Sequence, residues 1–147
     1  MPESIPVVLC GRRVEVGQPV SDFLRPEYEV IHFIASPEAL HAELPLLLSG
    51  QDPQSVTTSP NEVGTHDYSR PPRAVVFGRG FALDLVQELK EAYQSYSKEP
   101  VAWVAGDPAT APTGPPPPGY AEAAAKTVKN VLAAWREQGG GNAFLVY

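Results

Sequence analysis

Arginine is the residue type in this chain best placed to do chemistry. Arg12-Arg13 follow the first apolar run, and Arg79 stands between Gly78 and Gly80 after the third. A guanidinium stays charged at physiological pH and presents a planar fork of donors, so arginines gathered at one cleft suit a phosphate or a carboxylate. Near these segments Cys10 offers a thiol and Asp107 a carboxylate, while His66-Asp67-Tyr68 sets an imidazole beside an acid. The residues expected to hold a ligand are therefore Gly11, Arg12, Arg13, Gly78, Arg79, Gly80 and Asp107, with Cys10 and His66 as weak catalytic candidates. The plainer alternative makes the arginines solvated loop charges or partners of Asp67 and Asp107, Cys10 a core thiol, and His32 and His41 ordinary strand and helix-face residues.

Several chemistries are excluded by what accompanies these residues. One cysteine and three scattered histidines show no Cys-x-x-Cys or His-x-x-x-His spacing, so no metal and no cofactor is expected. A net charge of −6 and a pI near 5.0 oppose a broad nucleic-acid surface, which needs concentrated Lys and Arg. No apolar stretch approaches the roughly 20 residues of a membrane span. Met1-Pro2-Glu3-Ser4 carries no basic residue ahead of a short apolar run, unlike a secretory signal, and the expected setting is cytoplasmic.

The elements that must position these side chains read as one α/β domain over 1–147. Five apolar, β-rich runs, at Ile5–Cys10, Tyr28–Ile34, Ala74–Phe77, Pro100–Val104 and Ala143–Tyr147, alternate with helical patterns. The first helix is short, with Pro19 in its opening turn and Val20, Phe23 and Leu24 on one face. The second starts at Ser36-Pro37-Glu38 and carries Leu40, Leu44, Leu47 and Leu48, with Pro45 expected to kink or break it. The third runs on Leu85, Leu89 and Ala92. The fourth, from Tyr120 to Gln138, presents Ala124, Val128, Val131, Leu132 and Trp135. Residues 51–73 form a long polar loop, and residues 106–119 a proline-rich one containing Pro115 to Pro118, which favours an extended polyproline conformation.

Alternation of this kind predicts an open parallel five-stranded sheet in the flavodoxin-like order 2-1-3-4-5, with the Rossmann-like order 3-2-1-4-5 as the alternative and no helix after the last strand. Helices 2, 3 and 4 are then expected on one face and the short helix 1 alone on the other. Parallel strands are apolar on both sides, so a bare area there predicts a two-fold homodimer, unless 51–73 folds back as a cover. Ligands of such sheets bind beyond the carboxyl ends of the strands, where Cys10 to Arg13, Ser36, Gly78 to Phe81 and Gly106-Asp107 fall.

Local resemblances are partial. Gly11-Arg12-Arg13-Val14-Glu15-Val16-Gly17 resembles the Gly-x-x-Gly-x-x-Gly phosphate loop of dinucleotide-binding proteins at its first and last glycines. Val14 replaces the middle glycine, and Ala35-Ser36 stand where a ribose-binding acid is needed, which counts against NAD. Cys10 resembles in position the cysteine of sugar-phosphotransferase B subunits and low-molecular-weight phosphatases, but Val16 occupies the phosphatase arginine position. Receiver-domain chemistry lacks its acidic pair, its Asp and its Lys. Across most of the chain, the first strand with its Gly, Pro26-Glu27-Tyr28-Glu29-Val30-Ile31-His32, the Leu-Pro-Leu-Leu-Leu stretch at 44–48 and the proline-rich loop resemble a group of short α/β proteins of filamentous fungi. That resemblance implies the fold and a fungal cytoplasmic setting, and implies no activity.

The expected function is a non-catalytic dimer binding a partner or a small anionic ligand at the carboxyl edge of the sheet. The alternative is a small cofactor-independent enzyme of lyase or isomerase type, using a loop His or Cys10 with arginine anchors. A third class, a polyproline docking module, reads Pro115 to Pro118 as its ligand.

Overall fold

The computed structural model describes residues 4–53, 63–110 and 117–147. Five strands, β1 (Ile5–Cys10), β2 (Tyr28–Ile34), β3 (Ala74–Phe77), β4 (Ala102–Ala105) and β5 (Ala143–Val146), form one sheet in the order β2-β1-β3-β4-β5, all parallel. The helices are α1 (Val14–Leu24), α2 (Pro37–Leu48), α3 (Leu83–Tyr93) and α4 (Tyr120–Glu137). Alternate side chains of the strands build two cores. Val7, Leu9, Val30, Phe33, Val76 and Val104 meet α1 and α4 on the first face. Val8, Cys10, Ile34, Val75, Phe77 and Trp103 meet α2 and α3 on the second.

This distribution corrects the expected one. Helix α4 lies with α1, not with α2 and α3, and the first face is not left to a single short helix. The connection β1-α1-β2 steps one way across the sheet with its helix on the first face. The connections through α2 and α3 step the other way on the second face, so all three share a hand. The connection β4-α4-β5 steps outward like those two yet returns over the first face, so its hand is opposite to theirs. Parallel crossovers almost always share the right-handed sense. Here burial decides otherwise: Ala125, Val128, Leu132 and Trp135 cover apolar area that a fifth helix would otherwise occupy.

Two proline positions also differ from expectation. Helix α1 begins at Val14, so Pro19 lies in its interior and Gly17 is a helical residue. Val16, Val20 and Leu24 all pack on the first core, and that stripe outweighs the one intrahelical bond that Pro19 cannot donate. Helix α2 starts on a Ser36 cap, whose Oγ accepts from the Ala39 amide at 3.2 Å, and runs unbroken past Pro45 to Leu48. Leu40, Leu44, Leu47 and Leu48 are all buried on the second core, and that burial carries the helix past the proline that was expected to kink or break it.

The later part of the long loop seals the β2 edge of the sheet and adds Val63 to the first core and Tyr68 to the margin of the second. At Ile31 the register of β2 against β1 slips by one residue, from Val7 opposite Val30 to Val8 opposite His32. There the Thr65 and His66 amides donate to the Val30 and Ile31 carbonyls, both at 2.9 Å. Gly64 has φ +92°, and a Cβ on it would lie 2.9 Å from the Val30 carbonyl oxygen, so only glycine lets the loop approach this closely. Val63 is buried in the first core. Residues 54–62 and 111–116, which include part of the polar loop and the beginning of the Pro115 to Pro118 run, lie outside the described residues.

Candidate ligand site at the carboxyl edge

In this strand order the chain leaves β1 toward one side and β3 toward the other, and a crevice opens where their carboxyl ends diverge. A cavity of about 180 Å³ occupies that place. Its walls are apolar, with Val16 and Val20 of α1, Phe33 of β2, and Ala124 and Val128 of α4 among them. Gly17 shapes this wall: a Cβ there would sit 2.3 Å from Cε2 of Phe33, so the ring occupies space that any larger residue would need.

The charged side of the cavity is built on the turn after β3. Arg79 lies with its guanidinium carbon 4.9 Å from the centroid of the Tyr147 ring and 5.6 Å from that of Tyr120. Its Nη1 donates to Tyr120 Oη at 3.3 Å, whereas its Nε is buried without a hydrogen-bond partner among the described residues. Gly106 makes this placement possible, because a Cβ on it would come within 2.8 Å of the Arg79 backbone nitrogen. Tyr147 donates to the Phe77 carbonyl at 2.9 Å. Burial pushes its phenol pKa up against the opposing pull of Arg79, so it remains a neutral donor. Arg12 and Arg13 are exposed at the mouth, with Arg12 over the Phe81 ring at 5.5 Å.

Helices α1 and α4 both begin at this edge, and neither has a side-chain N-cap: Arg13 and Gly119 hold those positions without such a bond. Their first amides and the positive ends of their dipoles add to the arginine field. The cavity thus pairs an apolar body with a cationic, donor-rich rim, a combination that fits a small molecule carrying one acidic group.

Gly11, Arg12, Arg13, Gly78, Arg79 and Gly80 all line the cavity, as does Cys10. Asp107 does not; its carboxylate accepts from the Ala109 amide at 3.0 Å in the turn after β4. Cys10 is fully buried, and burial first, then the nearby Glu43, pushes its thiol well above the ordinary range, which disfavours the thiolate. His66 is not brought to the arginines. It sits against the β2 edge with φ +57°, beside His32 and Tyr68. Among the described residues, no cluster of three or more His, Cys, Asp or Glu stands where it could hold a metal ion, and no helix is long and apolar enough to cross a membrane.

Sequence reasoning missed Phe33, Gly17, Tyr120 and Tyr147 as site residues. The signal for Tyr120 and Tyr147 was positional: one opens a helix and the other ends a strand at the same sheet edge as Arg79. Gly17 had matched the last glycine of a phosphate-loop pattern, but Phe33 carried no signal, because the pairing of the two depends on where α1 settles on β2.

No family model matches this chain, and no solved structure matches it. A curated protein does: Kojic acid related protein 6 of Aspergillus oryzae is 36% identical over 140 residues, covering 95% of this chain and 82% of that protein. The identity and the coverage of both chains show common descent, and the chain belongs to the same fungal family as Kojic acid related protein 6.

Proposed function

We propose that this protein binds a small molecule with an apolar body and one anionic group in the β1/β3 cavity, and that it does so as a homodimer. The observation that carries the binding reading is Arg79, whose guanidinium lies against the Tyr120 and Tyr147 rings at the wall of an apolar cavity. A charged guanidinium at an apolar wall gains about 1.5–3 kcal/mol from a hydrogen bond to an anionic acceptor, and an acidic ligand would supply one. Binding is the role proposed for this cavity: Cys10, the thiol among its described lining residues, is sealed in the second core with its pKa raised.

The dimer reading rests on β5. It is an edge strand with no strand outside it among the described residues, and Val146 on it is 45% exposed. Unpaired edges invite pairing with a second chain, and two copies of β5 related by a two-fold axis would close both edges at once.

Calorimetric titration with benzoate and with inorganic phosphate tests the site. Benzoate is expected to bind more tightly than phosphate, and Arg79→Gln to weaken it by about 1.5–3 kcal/mol, roughly ten- to a hundredfold. Equal affinity in the Arg79→Gln variant, or no binding of either probe at millimolar concentration, would overturn the reading. Kojic acid belongs in the same titration, since the relative's name refers to it. Light scattering across a dilution range tests the dimer, with Val146→Lys expected to give a monomer.

A further inference from the structure

Away from the cavity, the fold buries a polar chain that the sequence does not announce. His32 of β2 and Glu43 of α2 are 4% and 2% exposed, and His32 Nε2 lies 2.5 Å from Glu43 Oε1. On the other side of the ring, His32 Nδ1 lies 2.8 Å from the hydroxyl of Tyr68, which is half-buried on the loop that seals the β2 edge. A carboxylate only accepts, so in the neutral imidazole Nε2 carries the proton toward Glu43, and Nδ1 is left to accept from Tyr68. The order is carboxylate, imidazole, hydroxyl, with one base aimed at one O–H and held in one tautomer behind it.

Three further observations accompany this chain of groups. His66 stands beside it, its ring centroid 6.0 Å from that of His32 and 6.3 Å from that of Tyr68, as a second imidazole near the hydroxyl. His66 is also the one non-glycine residue with positive φ among the described residues, a strained conformation that clusters at functional positions. The loop presenting both residues is fixed in place, by Thr65 and His66 amides on β2, by Thr65 Oγ1 on Glu29 at 2.8 Å, and by Arg70 on the Ser4 carbonyl at 2.8 Å.

We propose that Tyr68, with His32 as its base and Glu43 orienting that base, is the nucleophile of a second site that accepts acyl groups from small uncharged esters. In the step, a lone pair of Tyr68 Oη forms a bond to the acyl carbon, and the phenolic proton passes to His32 Nδ1. The ester C–O bond breaks with its electron pair leaving on the alcohol oxygen, which takes the proton from His32. Water, deprotonated by the same nitrogen, then hydrolyses the aryl ester and restores Tyr68. Among the described residues, the charged or titratable groups facing His32 are Glu43 from α2, and His66 and Tyr68 from the loop; Glu43 also acts on Cys10 of β1.

The full chain is incubated with p-nitrophenyl acetate, quenched in acid and mapped by peptide mass, with nitrophenolate release followed in parallel. The expected result is acetyl on Tyr68 about tenfold or more ahead of the exposed Tyr96, or, where that ester turns over quickly, sustained release that Tyr68→Phe abolishes. His32→Asn, checked for fold by circular dichroism, is expected to slow the reaction by at least about tenfold. Tyr68 no more reactive than Tyr96 with no release dependent on Tyr68, or an unchanged rate in folded His32→Asn, would overturn the proposal. Should His32→Asn fail to fold, Glu43→Gln, checked for fold in the same way, decides: a rate lowered by at least about tenfold supports the oriented base, and an unchanged rate overturns it.

Discussion

Cys10 shows how the position of one side chain sets its chemistry. The thiol ends β1 at the cavity, but it is sealed in the second core, and its pKa is raised by burial and then by Glu43. In the unfolded chain a cysteine ionises near pH 8.5. Between that value and the higher folded one, the unfolded state releases a proton that the native state keeps, so stability is complete below about pH 8.5 and falls as the pH rises past it. The limiting slope for one proton is about 1.4 kcal/mol per pH unit. Urea midpoints measured from pH 7 to 10 are expected to fall on the alkaline side, and Cys10→Ala to remove part of that fall. An unchanged alkaline slope in the alanine variant would show that other groups carry it.

At the scale of elements, apolar stripes overrule local helix breakers. Pro19 and Pro45 both sit inside helices, where a proline removes one intrahelical bond and crowds the preceding turn at a cost of about 3 kcal/mol in an unconstrained host. Helix α2 bears that cost because four leucines and Ala39 are buried on the second face. Pro45 itself is half-buried and at the margin of that stripe. Pro45→Ala is therefore expected to stabilise the protein, by about 1–3 kcal/mol, through restoring a donor toward the His41 carbonyl. A urea midpoint at or below that of the wild type would mean that the proline ring contributes packing worth as much as the missing bond. The hand of the β4-α4-β5 connection follows the same logic: α4 goes where apolar area is uncovered.

Across the whole molecule, the two sheet edges are treated differently. The β2 edge is bulged and sealed by residues 63–66, whereas β5 has only β4 beside it among the described residues. Hydrogen exchange is expected to be slowest in β1 and β3 at the centre of the sheet, and faster at the Phe144 and Val146 amides of β5. If β5 pairs with a second copy, protection of those two amides rises with protein concentration while that of β1 does not. Concentration-independent exchange in β5 would sink the edge-paired dimer and leave the cavity reading untouched. The sequence by itself determined the alternating α/β pattern, a parallel sheet and the carboxyl-edge placement of Gly11 to Arg13 and Gly78 to Gly80, and it favoured the order 2-1-3-4-5 over 3-2-1-4-5, because runs of buried β-rich residues, their turns and the rule of ligand position are all local or topological. Tertiary structure alone decided the side taken by α4, the seating of Arg79 between Tyr120 and Tyr147, and the meeting of His32 with Glu43 and Tyr68. Those depend on which apolar faces compete for the same sheet and on side chains 11, 36, 41 and 68 residues apart meeting in space, which no spacing along the chain records.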